Sequence, residues 1–276
     1  MYSRGGKSLV KVISQNVDDP TTLLLRGTSL YVGDAEKSAV SVFNVTNGKL
    51  ISTLSQDVAD PVSLAIDSSG TLYVDSIVYY SEGFISVFSN GKFSHEITEG
   101  IHGPASLAVD KAQNLYVTNA LEGYNSIAVY AKGDKIPNFH IRKGIASPSA
   151  LAIDSENNLY VCNGNAHDVT VYTNGSTSPS RKLITAAYPS AIVLGKNGSV
   201  YVASYNANEV DIFGPGATNP TVVIPSAYPS ALTVDGQNNL YVANSTGIGV
   251  YDATTGTLQR TLSENVSETA ALAFGN

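Results

Sequence analysis

The chain of 276 residues is poor in cysteine, in charge and in long apolar runs, and each shortage excludes a class of protein. Its single cysteine, Cys162, rules out an intrachain disulfide framework and a cysteine-based zinc site. No apolar segment approaches the ~18 residues that a transmembrane helix needs. Charged residues make up only 14% and the net charge is -7, so the clustered lysines and arginines that bind nucleic-acid backbones are missing. We therefore expect neither a nucleic-acid partner nor a membrane span.

The residues that are abundant favour strands and turns. Hydrophobic residues at 43% suffice for a packed core, while 24 glycines and 11 prolines favour turns and 16 tyrosines favour strands. A helical bundle is ruled out. Residues 1–7 lack the apolar stretch of a secretory signal, so the chain is either intracellular or exported with its signal removed. Low lysine content and several Asn-x-Ser/Thr sequons favour an extracellular or periplasmic location.

A repeat is the main signal in the sequence. A Tyr-Val pair returns every 40 to 44 residues, at Tyr31, Tyr73, Tyr116, Tyr160, Tyr201 and Tyr241. A segment of the form Pro-x-x-Leu/Ile-x-Val/Ile-Asp precedes most copies, and a second aromatic follows each, at Phe43, Phe88, Tyr130, Tyr172, Phe213 and Tyr251. Each unit thus predicts four short strands, which we name a (after the proline), b (with Tyr-Val), c (ending in the aromatic) and d.

A meander of about 42 residues cannot bury both faces of its sheet alone, but sheets stacked radially cover one another. We therefore predict an all-β fold, a β-propeller of four-stranded antiparallel blades in one domain over residues 1–276. The approximate repeats are 20–60, 61–103, 104–147, 148–188, 189–228 and 229–268. A further d-like strand over 8–14 and an a-like strand over 269–274 leave two possibilities. They either complete a split seventh blade, or pack at the seam of a six-bladed ring.

These motifs resemble the NHL-repeat group of propellers and the related YncE-like and streptogramin-lyase-like proteins. The likeness covers nearly the whole chain through the Pro…Asp…Tyr-Val-x-Asn/Asp/Ser…Val-Phe/Tyr pattern. It departs from the NHL pattern where Ser or Ala replaces the usual glycine after the proline, and where the arginine before the third strand is missing. The resemblance implies a fold class and does not transfer a function.

Because strands alternate in direction, the b–c and d–a connections share one side of the disc, which we call the loop face. We expect this face to be acidic, with Lys37 and Lys143 as its only bases and most remaining bases on the opposite side. Such a face attracts cations or a basic partner. Alternatively, the acids only solubilise the loops.

Several residues of the loop face are candidate ligand-binding groups. A polar residue stands where each strand b leaves the sheet, and this ring could hold a hydrated cation or sugar hydroxyls, or could simply cap turns. Tyr188 and Tyr228, in two Ala-Tyr-Pro-Ser-Ala copies, either stack on a ligand or pack in the core. The ring consists of Asp34, Ser76, Asn119, Asn163, Ser204 and Asn244.

Two classes of function remain. The first is a non-enzymatic NHL/YncE-like scaffold without a cofactor, a monomer or a domain of a longer protein, that binds a protein or glycan through the acidic loop face. The second, implied by the resemblance to lyases, is a lyase or lactonase dependent on a divalent cation, Ca²⁺ or Mg²⁺, at the channel mouth. It would use His102 or His167 beside Asp34 and Asn163. No histidine motif typical of zinc sites occurs, and Cys162 is expected in the core.

Overall fold

The computed structural model describes residues 1, 11–78, 82–263 and 271–273. Its strands form six four-stranded antiparallel sheets, each built in chain order, and the sheets are arranged as a ring. The predicted β-propeller is confirmed, with six blades.

The strands are numbered in chain order, four to a blade. Blades 1 to 3 comprise β1 Pro20–Arg26, β2 Ser29–Asp34, β3 Ala39–Asn44, β4 Leu50–Leu54; β5 Pro61–Ile66, β6 Leu72–Val78, β7 Glu82–Ser89, β8 Lys92–Ile97; β9 Leu107–Val109, β10 Leu115–Asn119, β11 Ser126–Tyr130, β12 Phe139–Ile141. Blades 4 to 6 comprise β13 Pro148–Ile153, β14 Leu159–Asn163, β15 Asp168–Tyr172, β16 Arg181–Ile184; β17 Pro189–Leu194, β18 Val200–Ser204, β19 Glu209–Phe213, β20 Val222–Pro225; β21 Ala231–Val234, β22 Asn239–Asn244, β23 Gly247–Asp252, β24 Leu258–Leu262.

Helix is almost missing from the described residues, which contain a single 3-10 turn over Tyr205–Ala207. Within this part of the chain there is no helix with the length and apolar character needed to cross a bilayer.

The expected terminal strands lie mostly outside the described residues. Residues 8–10, 269–270 and 274 are among those not described, and the described residues 11–14 and 271–273 belong to no sheet. Leu272 nevertheless packs against the apolar cluster of the sixth blade that contains Tyr241, Ile248 and Val250.

Both faces of a blade are buried against its neighbours, which explains why the repeat is needed. On strand b of the second blade, Val74 packs in a cluster with Val40 of the first blade, while Tyr73 packs in a cluster with Val117 of the third. Successive side chains of a strand point to opposite faces, so the Tyr-Val pair serves two interfaces at once.

In three of the six units the repeated aspartate and tyrosine are hydrogen-bond partners. The hydroxyl of Tyr116 donates to Asp110 at 3.3 Å, and Tyr241 donates to Asp235 at 3.2 Å. The same carboxylate of Asp235 accepts the backbone N–H of Asn239 at 2.9 Å, which closes the a–b turn. These aspartates hold the blade together, and this use accounts for their return in successive repeats.

Hydroxyl groups on strand a, or directly before it, bond one blade to the next near the axis. Ser63 accepts the backbone N–H of Leu107 at 3.1 Å, and Ser106 accepts that of Leu151 at 3.3 Å. Ser149 donates to the carbonyl of Pro189 at 2.6 Å. The inner strands of the second to fifth blades are thus tied in sequence.

Candidate functional site

Five of the six polar residues that end strand b form hydrogen bonds with the d–a loops, whereas the buried hydroxyl of Ser204 has no partner among the described residues. Asn119 is fully buried; its Oδ1 accepts the N–H of His102 at 2.9 Å and its Nδ2 donates to the carbonyl of Gly100 at 2.8 Å. Asn163 repeats this pattern on Ala146 and Gly144, at 2.9 and 3.1 Å. Each amide therefore fixes the loop that leads into strand a of its own blade.

Other members of the ring make related contacts. Asp34 accepts the N–H of Asp18 at 2.7 Å, and its Oδ2 lies 3.9 Å from the Lys37 ammonium. Ser76 accepts the N–H of Ala59 at 3.3 Å. Asn244 is half-buried and bonds Thr246, in the b–c turn, and Ser226.

These contacts bear on the predicted cation site at the channel mouth. The oxygens of Asp34 and Asn163 are already used by backbone N–H groups, so the geometry gives no support to a metal ion held by this pair. Among the described residues no group of three or more His, Cys, Asp or Glu side chains is placed to hold a metal. Ligand binding by the ring stays a prediction.

A pocket of the loop face lies at the outer edge of the third blade. It has a volume of about 400 Å³ and opens between the loop after β8, the loop after β10 and the outermost strand β12. These elements contribute Glu99 and His102, Tyr124, and His140 respectively, and Arg142 follows β12. We call this site the His102 pocket. Because β12 is an outer strand, the pocket is at the rim and away from the central channel.

An aromatic stack forms one wall of the His102 pocket. The rings of His102 and Tyr124 lie 3.9 Å apart between centroids at an interplanar angle of 26°. Tyr124 remains 50% exposed, so this ring offers a face to solvent. Asn119 determines the position of the stack, because it holds the backbone of His102.

His140 supplies a second imidazole that sequence reasoning missed. Its Nδ1 lies 3.4 Å from the hydroxyl of Ser126. Burial, followed by the charges of Arg142 and His102, lowers the pKa of His140, which favours the neutral ring near pH 7. A neutral imidazole has one donor and one acceptor nitrogen and can bond to hydroxyl groups. Glu99 and Arg142 are exposed nearby, so the pocket combines the aromatic ring of Tyr124 with both hydrogen-bond donors and hydrogen-bond acceptors.

The two histidines selected from the sequence are not brought together. His102 lines the rim pocket, whereas His167 is exposed in the b–c loop of the fourth blade with a positive φ of 52°. Its backbone carbonyl accepts the N–H of Thr185. Cys162 is fully buried, and burial raises the pKa of its thiol, as expected for a core residue.

A second aromatic surface lies on the fifth and sixth blades. Tyr205 and Tyr228 are 43% and 50% exposed, and their ring centroids are 5.2 Å apart. The sequence had grouped Tyr228 with Tyr188 instead. Tyr188 packs over Gly164, where an added Cβ would lie 2.1 Å from the Tyr188 ring. We call the first pair the Tyr205–Tyr228 surface.

The charges of the loop face differ from expectation in one detail. Arg142 lines the His102 pocket, so it joins Lys37 and Lys143 as a base on this face. Lys37 lies 2.6 Å from Asp18, and Lys182 reaches Asp168 at 2.5 Å, which neutralises part of the acidic charge. Glu264 and Glu268, which the strand order also assigns to this face, lie outside the described residues.

No protein-family model matches this chain, and no curated protein sequence matches it.

Proposed function

We propose that this protein is a non-enzymatic binding propeller of the exported NHL/YncE-like kind, and that its loop face binds glycans. One observation carries the proposal. The half-exposed tyrosines Tyr124, Tyr205 and Tyr228 all lie on loops of that face. A sugar ring has an apolar C–H side that stacks on an aromatic face and a hydroxyl rim that bonds to polar groups.

The composition of the face favours a glycan over a protein partner. The core of a protein interface is usually a contiguous, well-packed apolar patch. Here the exposed aromatics form two separate surfaces, each beside polar groups such as Glu99 and His140 or Asn208. Exposed aliphatic side chains such as Leu50, Ile51 and Leu258 instead lie on outer strands. Export to an extracellular or periplasmic location fits this role and is part of the proposal.

Affinity electrophoresis through gels that contain a panel of soluble neutral and acidic polysaccharides tests the proposal. We expect at least one polysaccharide to retard the protein, and Tyr124→Ala or Tyr228→Ala to reduce the retardation about two- to tenfold, given ~0.5–1.5 kcal/mol per aromatic contact. Leu258→Ala is the matched control, because it removes a 53% exposed side chain from an outer strand. Retardation by none of the polysaccharides, or equal retardation of all variants, would contradict glycan binding. Retention on a basic polypeptide such as polylysine alone would favour a basic protein partner.

A further inference from the structure

The fourth blade contains a saturated polar cluster between strand b, strand c and the d–a loop. Asn163 donates to Asp168 at 2.8 Å, to Thr170 at 2.8 Å and to the carbonyl of Gly144 at 3.1 Å. Thr170 also donates to Gly144 at 2.9 Å, and Lys182 lies 2.5 Å from Asp168. Every charged or polar group of this cluster therefore has a partner.

The fifth blade has different chemistry at the same positions. By strand register, Ser204 replaces Asn163, Glu209 replaces Asp168 and Asp211 replaces Thr170. The residue opposite Asp211 on the outermost strand is Val223, where the fourth blade has Lys182 opposite Thr170. The cluster has gained a carboxylate and has lost both the amide donor and the ammonium group.

These three side chains share one face of the sheet. Ser204 is directly opposite Glu209, and Asp211 is opposite Val202, which lies two residues before Ser204 and so points the same way. The loop between β16 and β17 covers this end of the blade. Glu209 is half-buried and connects the cluster to solvent.

Two members of the cluster are buried without partners. Asp211 is 1% exposed and Ser204 is 0% exposed. Within the part of the chain that the structure describes, no donor reaches either carboxylate oxygen of Asp211 or the Ser204 hydroxyl in hydrogen-bond geometry, and the backbone amide of Ala186 only approaches the Asp211 carboxylate. Buried polar atoms in native proteins nearly always have a partner. Here three unsatisfied oxygens lie on the same face of the sheet as the half-buried carboxylate of Glu209, and this grouping, unlike a single buried carboxyl, favours a bound ion.

We propose that Ser204, Glu209 and Asp211 bind a divalent cation of the Ca²⁺ or Mg²⁺ class. Both ions prefer carboxylate, hydroxyl and carbonyl oxygens, and this cluster contains side-chain oxygens only. Two carboxylates match the charge of the ion.

The d–a loop supplies a further oxygen. In the third and fourth blades, the carbonyls of Gly100 and Gly144 accept hydrogen bonds from the side-chain amides of Asn119 and Asn163. In both blades the glycine lies 19 residues before the asparagine. Thr185 stands at the same separation from Ser204 in the sequence, so its carbonyl is expected to face the cluster of the fifth blade in the same way and to serve as the additional ligand. In the cation-free protein, burial and the charge of Glu209 raise the pKa of Asp211 to about 7, opposed by the backbone amide of Ala186. A bound cation would reverse this shift.

Calorimetric titration of the EDTA-treated full chain with CaCl₂ and with MgCl₂ tests the proposal, with thermal melts at the same salt concentrations. We expect about one equivalent of one of these ions to bind, with Kd in the ~10⁻⁴–10⁻³ M range of extracellular calcium sites, and the melting temperature to rise as binding saturates. NaCl at matched ionic strength should not reproduce the rise.

The variant Asp211→Ser separates cation binding from misfolding. Ser41 and Ser86 occupy this strand-c position in the first two blades and donate to loop carbonyls, so serine suits the fold. D211S should lose heat of binding and the cation-induced rise, yet melt in EDTA at or above the wild-type temperature. Asp168→Asn, in the saturated cluster, is the matched control and should keep the response.

Two results would overturn the cation site: no saturable binding of either ion to the wild type, or the same response in D211S as in the wild type. Glycan binding uses other residues, so neither result depends on the proposed function.

Discussion

Replacement of Asp75 by alanine is expected to stabilise the protein, and to do so more strongly as the pH rises. Asp75 lies on β6, fully buried, and neither of its carboxyl oxygens has a hydrogen-bond partner among the described residues. Burial raises its pKa well above the usual value of 3.8. Small side chains take this strand-b position in the other blades, namely Gly33, Thr118, Cys162, Ala203 and Ala243.

The size of the effect follows from the proton that folding takes up. The folded state binds this proton more tightly than the unfolded state, so wild-type stability falls as the pH rises above the unfolded pKa. For each pH unit above the unfolded pKa, the free energy of unfolding of the wild type falls by about 1.4 kcal/mol. The total loss caused by Asp75 is therefore at most about 4 kcal/mol at about pH 7. An alanine at position 75 removes this loss of stability, and alanine already fits at the equivalent positions Ala203 and Ala243. We therefore expect Asp75→Ala to add ~2–4 kcal/mol near pH 7 and much less near pH 4.

Urea denaturation followed by far-UV circular dichroism, at several pH values between about 4.5 and 7.5, measures this difference. Asp235→Asn is the control of opposite sign. Burial alone would raise the pKa of Asp235, but hydrogen bonds from Asn239, Gln237 and Tyr241 outweigh burial and lower it. Its contribution is present above the unfolded pKa and disappears as the pH falls through the folded pKa, so D235N should destabilise at neutral pH and lose this effect in acid. A D75A protein no more stable than wild type at every pH would refute the reasoning about the unpaired carboxyl.

Two further predictions concern other buried positions. Asn119→Ala should lower the free energy of unfolding by ~2–4 kcal/mol, because it leaves the backbone groups of Gly100 and His102 without partners. It should also broaden the His102 ring signals in NMR spectra, and an unchanged melting temperature would contradict the prediction. Gly33→Ala should cost ~1–3 kcal/mol, since the added Cβ lies 2.5 Å from Cγ2 of Thr22, and Thr22→Ser should recover most of the loss in urea melts.

The fold was predictable because every blade must solve the same packing problem. The Tyr-Val pair returns because Tyr73 and Val74 face different neighbours, and the aspartate returns because it bonds the tyrosine hydroxyl and the a–b turn, as Asp110 does with Tyr116. Such requirements leave a periodic trace in the sequence. Whether the terminal segments complete another blade was open, because the sequence of each segment predicts only one strand and so lacks the repeat that identifies a blade.

The candidate sites were less predictable because they depend on what differs between blades. His140 lies on an outer strand, where the repeat is weakest, and its approach to His102 depends on the conformation of the loop from the preceding blade. Likewise the repeated pentapeptide suggested Tyr188 with Tyr228, but the positive φ of Tyr228 and its bond to Asn208 direct it to Tyr205. The signal that could have found the cation cluster was Asp211, a carboxylate where Ser41, Ser86 and Thr170 stand elsewhere.

The bonds between successive inner strands have a consequence for motion. Ser63, Ser106 and Ser149 fasten neighbouring blades where the wedges are narrowest, while apolar contacts fill the wider spaces outside. Widening the central opening would break several of these bonds together, so its diameter should stay constant during thermal fluctuation. Conformational changes on ligand binding are then confined to the peripheral loops, and they need not disturb the inner strands around the central opening.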